Sequence, residues 1–265
     1  SFVIDDAATA VARSLMAGER KAVLLGNAAA HHAQATQLLA LANWIGEHTG
    51  ATVGYLTEAA NTVGAQFVGA HPVKGGLNAA QMLSGGLKAV LLLNNEPVHD
   101  SSVGARATDA LSGAEMVVTL SPFKANMEFS DVLLPIAPFT ETSGSFINAE
   151  GRLQSFHAVV RPLGDTRPAW KVLRVLANML EIPGFDFETS QDVLVRATNA
   201  APGAFSQIDA TQLSNAVTGG VTASVSGAAG EPVVASIYQL DGLVRRSPSL
   251  QLTADARMAR EEVAA

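Results

Sequence analysis

The sequence predicts an α/β protein: a doubly wound, mostly parallel sheet flanked by helices, with a β-hairpin and a small C-terminal appendage. Three observations predict it. Short runs that are apolar but for Thr119, Ala22-Val23-Leu24-Leu25, Ala89-Val90-Leu91-Leu92-Leu93, Met116-Val117-Val118-Thr119-Leu120 and Val132-Leu133-Leu134, have the length and content of strands buried on both faces, as parallel strands are. Segments with helical spacing alternate with these runs, the order in which β-α units build a parallel sheet. Hydrophobic residues make up 48% of the 265 and charged residues only 15%, which supplies the apolar surface for a sizeable core.

Ile4 to Met16 opens the chain with helical spacing at Ile4, Ala7, Ala8, Val11 and Leu15, and Gly18 ends it. Lys21 to Gly26 reads as a buried strand with glycine at its carboxyl end, and Ala33 to Glu47 as the helix that follows, with Gly50 past its end. Thr52 to Leu56 is a second strand, Leu77 to Leu83 a short helix, and Lys88 to Asn94 the strongest strand in the chain. Ala105 to Leu111 supplies the next helix, Glu115 to Leu120 a strand, Ala125 to Phe129 a helical turn, and Asp131 to Leu134 the last buried strand. Pro135 stops that strand because it has no N–H for a ladder. Phe146-Ile147-Asn148 and Arg152 to Phe156 form a hairpin about Ala149-Glu150-Gly151, where the glycine takes the positive φ that such a loop needs. Pro168 in the first turn opens a helix running to about Glu181, and Ser190 is the expected cap of another through Ala197.

From Asn199 to Gly230 the residues are mostly Ala, Gly, Ser, Thr and Gln, with little large apolar surface to offset the entropy of ordering. The expected organisation is therefore an α/β domain over residues 1–198, a linker or loop over 199–230, and an appendage over 231–265. In the appendage Pro232 to Leu240 reads as extended and Asp255 to Val263 as a terminal helix.

Composition excludes several functions. A net charge of −7, with no Lys/Arg cluster larger than Arg245-Arg246, argues against nucleic acid as a partner. No run approaches the roughly 18 apolar residues of a membrane span, and no signal peptide is evident, so direct membrane insertion is not expected and a soluble, cytoplasmic protein is. The six histidines lack metal-ligand spacing, and there is no cysteine.

Ligands of open α/β sheets bind outside the carboxyl ends of the strands, which here directs attention to Gly26-Asn27, Asn94-Asn95-Glu96-Pro97, Ser121-Pro122 and the loop Thr140 to Ser145. Gly26-Asn27-Ala28-Ala29-Ala30 lacks the later glycines of a dinucleotide fingerprint. Asn, Glu and Pro also end strands through plain turn chemistry. Glu141 and Glu150 are the types used for proton transfer, yet Glu150 beside Gly151 and Arg152 in a hairpin loop reads as a solvated or salt-bridged carboxylate. Ser143, Ser145, His157 and Asp131 lack the nucleophile elbow of a hydrolase. The residues name no catalytic group and no metal site.

The stretch from Ser130 to Gln154, SDVLLPIAPFTETSGSFINAEGRLQ, resembles the signature of the molybdopterin oxidoreductase superfamily, in which the equivalent loop lies beside a pterin–guanine dinucleotide. Asn61 to Ala65 with Gly69, Gly164 to Leu173, and Asp241 to Gln251 are similar to segments of one branch, the large iron–sulfur subunit of bacterial NADH:quinone oxidoreductase, respiratory complex I. The resemblance, which runs from about residue 20 to 255, implies the C-terminal part of such a subunit. It implies iron–sulfur clusters in the full-length subunit, held by cysteines of an N-terminal region, and none in this fragment, because clusters are bound by thiolates. It implies a pterin pocket kept as a vestige, whose candidate residues are Gly26, Asn27, Asn94, Asn95, Glu141, Gly144 and Asn148. Asn94-Asn95-Glu96-Pro97 departs from the family's Asn-x-Pro turn by one extra residue and an acidic side chain. The implied partners are other hydrophilic-arm subunits of complex I and the chain's own cluster-bearing region, and the implied place is the cytoplasmic face of the inner membrane.

Overall fold

The computed structural model describes residues 4–32, 34–198, 214 and 236–258. Of these, residues 4–67 and 147–151 cluster in one unit, and residues 68–146, 152–198 and 236–258 in another. The expected linker at 199–230 lies outside the described residues, Ser214 apart.

In the first unit, helix α1 (Asp6–Ala17) starts at Asp5, whose carboxylate accepts the Ala8 N–H at 2.7 Å. Its expected apolar stripe is covered only in part: Leu15 is half-buried, while Ile4 and Val11 are 78% and 59% exposed. Strands β1 (Ala22–Leu25) and β2 (Thr52–Tyr55) pair in parallel, from Ala22 opposite Thr52 to Leu25 opposite Tyr55. The crossover between them carries a short helix α2 (Asn27–Ala30) and the long α3 (Ala35–Thr49). Helix α3 ends on Gly50 in the left-handed region, φ 73°, where its N–H closes onto the Gly46 carbonyl. Gly46 lets the helix approach β2, because a Cβ there would meet Val53 Cγ2 at 2.7 Å. Helix α4 (Thr62–Phe67) follows.

The second unit opens with α5 (Ala79–Met82), held by a capping box in which Asn78 Oδ1 accepts the Gln81 N–H and Gln81 Oε1 accepts the Asn78 N–H, both at 2.9 Å. Strand β3 (Ala89–Leu93) leads to helices α6 (Pro97–Asp100) and α7 (Arg106–Ser112) and on to β4 (Met116–Ser121) and β5 (Val132–Pro135). The order is β3-β4-β5, with both pairs parallel. Leu92, Ala107, Leu111, Val117 and Phe129 form the buried cluster between this sheet and α7, and Val90, Val98 and Leu83 pack against it. Of the two buried polar residues of β4, Thr119 pairs with the Ser130 hydroxyl at 2.7 Å and the Ser121 hydroxyl accepts the Phe123 N–H at 3.1 Å.

Strands β6 (Gly144–Ile147) and β7 (Leu153–Phe156) form the predicted hairpin. Helices α8 (Ala169–Met179) and α9 (Ser190–Thr198) follow, then α10 (Ile237–Leu240) and α11 (Pro248–Gln251), and residues 254–258 are helical.

The α/β class with parallel strands flanked by helices is the predicted one. Among the described residues its parallel strands form two sheets, one in each unit. Two local expectations are corrected. Residues 237–240 are helical, not extended, because the Ser236 hydroxyl caps the Tyr238 N–H at 3.2 Å and the Arg245 guanidinium takes the carbonyls of Gln239 and Leu240. Thr189, not Ser190, caps α9: its hydroxyl accepts the Asp192 N–H at 3.1 Å while Asp192 accepts the Thr189 N–H at 2.8 Å.

Candidate functional site

In the second unit β3 and β4 end side by side, and the turns beyond them carry the groups to be weighed. Asn94 sits at φ 50°, a left-handed conformation that asparagine tolerates, and its N–H donates to Leu120 O at 2.8 Å as the last rung of the ladder. The Asn95 carbonyl accepts from Asn126 Nδ2 at 3.0 Å, and Asn126 itself stands at φ 59°. Two asparagines with positive φ thus fix the turns after β3 and β4.

Glu96, next in line, is the centre of the charge arrangement. Its N–H donates to Asp100 Oδ2 at 2.6 Å, which sets the start of α6. Its two carboxylate oxygens are taken separately: Arg245 Nη2 lies 2.7 Å from Oε1, and Arg246 Nη2 donates to Oε2 at 2.8 Å. The side chains of Glu96 and Arg245 are only 13% and 11% exposed, so this pair is far less screened than a surface ion pair. Burial opposes ionisation of Glu96, but the hydrogen bonds and positive charges of Arg246 and Arg245 outweigh it and hold the carboxyl below its ordinary value of 4.5. Arg245 reaches Asp100 as well, at 3.3 Å. The Arg246 guanidinium lies over the Phe123 ring at 4.2 Å from its centroid, and Phe123 follows the end of β4, its N–H donated to the Ser121 hydroxyl.

The other expected site residues stand in structural roles. Glu141 accepts the Leu163 N–H at 2.9 Å, and Thr140 O accepts the Val159 N–H at 2.8 Å, so this loop anchors the segment after the hairpin. Gly144 gives space to an aromatic ring, since a Cβ there would lie 2.8 Å from Phe156 Cζ. Phe156 in turn meets Phe146 edge to face at 5.2 Å. Asn148 Oδ1 accepts the Glu150 N–H at 3.1 Å, and its carbonyl accepts the Gly151 N–H at 3.0 Å, which makes it the turn residue of the hairpin.

In the first unit Gly26 follows β1 and precedes Asn27, the first residue of the four-residue α2; among the described residues, its chain neighbours aside, nothing lies within 4 Å of where a Gly26 Cβ would stand. Beyond it His31 Nε2 is paired with the Glu58 carboxylate. Asn61 Oδ1 accepts the Ile147 N–H at 2.9 Å, and the missing side chain of Gly64 leaves it room, because a Cβ would sit 2.0 Å from that oxygen and push it aside.

Asn94 and Asn95 thus share one cluster with Glu96, while Glu141 and Gly144 serve the hairpin region of the same unit, and Gly26, Asn27 and Asn148 belong to the other unit. The sequence reading missed Asn126, Phe123, Arg245 and Arg246 as site residues. The adjacent arginines in Asp241 to Gln251, beside an unexplained acid in the Asn94 turn, were the available signal.

An anionic pterin dinucleotide needs donors or cations aimed at its phosphates. Among the described residues, the two guanidiniums seen at the ends of β3 and β4 are both engaged by Glu96, so the cations present there do not fit that group. Nor do any fit an iron–sulfur cluster, for the chain has no thiol. Among the described residues no three His, Asp or Glu side chains gather as a metal site, and no helix is long and apolar enough to cross a membrane.

Comparison with known proteins agrees with the fold. The chain is 37% identical over 75 residues to the Bacillus subtilis (strain 168) protein named "Probable oxidoreductase YjgC", a stretch covering 28% of this chain and 8% of that one. It is 42% identical over 59 residues to "Putative formate dehydrogenase SAB2186c" of Staphylococcus aureus (strain bovine RF122 / ET3-1), covering 22% of this chain and 6% of the relative. The same figures hold for "Putative formate dehydrogenase SAUSA300_2258" of strain USA300. The aligned stretches are thus a small part of each relative's length. The model of the molybdopterin oxidoreductase family matches residues 7–179, well over half of the chain, and the chain belongs to that family.

Proposed function

We propose that this chain is an architectural, non-catalytic domain of the large iron–sulfur subunit of an NADH:quinone oxidoreductase, packed against cluster-bearing segments that lie outside these 265 residues. The observation that carries the reading is Glu96, a carboxylate at the strand ends that consumes the cations an anionic cofactor would need. The absence of cysteine supports it, because electrons must then travel through centres held elsewhere. Electron tunnelling falls off steeply with distance, so a rigid α/β body contributes by keeping neighbouring clusters at fixed spacing. The partners are the other hydrophilic-arm subunits and the cluster-bearing region of the same polypeptide, at the cytoplasmic face of the membrane.

A second reading, a pterin- or nucleotide-binding domain of a molybdopterin-dependent oxidoreductase, is favoured by the relatives named as oxidoreductase and formate dehydrogenase. Metal analysis of the purified protein for molybdenum and tungsten, with chromatography of released nucleotide after acid denaturation, separates the two. Neither metal nor guanine nucleotide is expected; either in stoichiometric amount overturns the first reading in favour of the second.

A further inference from the structure

We infer that residues 236–251 form a latch over the carboxyl ends of β3 and β4, shut by the Glu96 carboxylate held between Arg245 and Arg246. Three observations converge on it. The segment is folded on itself: Asp241 Oδ1 accepts the N–H groups of Leu243 and Val244, both at 2.8 Å, and Gln251 Nε2 donates to the carbonyls of Tyr238 and Val244 at 2.9 and 3.0 Å. It therefore has internal ties that survive its release. Its polar contacts to the strand ends run through two adjacent guanidiniums, on Glu96 after β3 and Asp100 of α6. Its third contact is the ring of Phe123 after β4, which Arg246 covers and beside which Gly242 lies close enough that a Cβ would be 3.6 Å away. The segment thus stands where a ligand of an open α/β sheet binds, and it brings its own anion-binding arginines already neutralised by an acid of the sheet.

The charged groups facing Glu96 are Arg245 and Arg246 from the latch and Asp100 from α6. Loss of the Glu96 charge leaves Arg245 with Asp100 and with the carbonyls of Gln239 and Leu240, all but the first internal to the latch. The latch then opens as a unit. This deepens the architectural reading by naming what closes the strand ends, but latching does not require membership of a quinone reductase, so its failure and the failure of that reading are separate results.

Hydrogen–deuterium exchange on the full chain at neutral pH, in the native protein and in Glu96→Gln, tests it. Peptides over 238–252 and over 121–125 should exchange faster together, by roughly tenfold or more, while the interior of β4 at 116–120 keeps its protection. An unchanged latch peptide overturns the inference, and so does a latch that loosens while 121–125 does not, because it then covers nothing. Should Glu96→Gln loosen 116–120 as well, Arg246→Ala is the second variant; it must accelerate the same two peptides alone, and spread to 116–120 there too overturns the latch.

Discussion

Gly144 shows how a side chain's absence can be structural. A methyl group there would stand 2.8 Å from the ring tip of Phe156, itself set edge to face against Phe146, so the ring must shift and disturb the aromatic pair. Gly144→Ala should cost about 1–3 kcal/mol, the usual penalty of overpacking, read as a lower urea midpoint. Gly64→Ala acts by another route: its Cβ would displace Asn61 Oδ1, leaving the Ile147 N–H without that acceptor, and a loss of about 1–3 kcal/mol follows in the same assay. The sequence marked Gly144, Asn148 and Glu141 as residues beside a ligand, and their turn and loop types were legible. Their partners were not, because Phe156 and Leu163 come close only after the hairpin has closed. Glu96 and Arg246, 150 residues apart, are the extreme case: no local periodicity links an acid in one turn to a guanidinium in another.

At the level of elements, strands were legible in position, since a run such as Ala89 to Leu93 marks a strand in its own composition and Pro135 states the end of another, but the expected burial on both faces does not hold, for Leu91 and Leu93 are 47% and 43% exposed. Short helices were less so, because a four-residue element such as α10 is decided by one cap and by carbonyl partners from elsewhere. Helix α7 packs on the β3-β4-β5 sheet chiefly through Ala107 and Leu111, which are 0% and 2% exposed. Leu111→Ala should therefore destabilise the protein by about 3 kcal/mol, less if α7 can settle into the gap, as measured by chemical denaturation. Helix α9 offers a pH-dependent case. Hydrogen bonds from the Thr189 and Glu188 N–H groups and from the Thr189 side chain lower the pKa of Asp192. The cap is in place above the ordinary carboxylate range and is lost as pH falls through the lowered value, so helicity of α9, followed by the exchange of its amides, should drop in acid, and Asp192→Asn should abolish that dependence.

At the scale of the whole molecule, apolar residues remain uncovered on several elements, Leu91 and Leu93 on β3 and Val159 and Leu163 after the hairpin among them. The segment around Arg245 and Arg246 is held to the turn after β3 by charge, and that gives it a distinct response to acid. The unfolded chain titrates Glu96 near its ordinary value of 4.5, and the folded chain titrates it lower because Arg246 and Arg245 hold the ionised form. Stabilisation by this carboxylate is therefore complete above the ordinary value and disappears as pH falls through the folded one. Glu96→Gln should weaken the hold on this segment by about 3 kcal/mol at neutral pH, since it leaves two guanidiniums facing a neutral amide in a largely buried setting. In acid the native protein loses the same contribution on its own, so the gap between native and variant in the amide protection of residues 238–252, compared at equal pH, should narrow from neutral pH to below 4.5. The Asp192 cap is unchanged in both proteins and weakens alike in each, so its contribution cancels in the comparison. A gap that stays constant across that interval would mean that the arginines do not read the charge of Glu96.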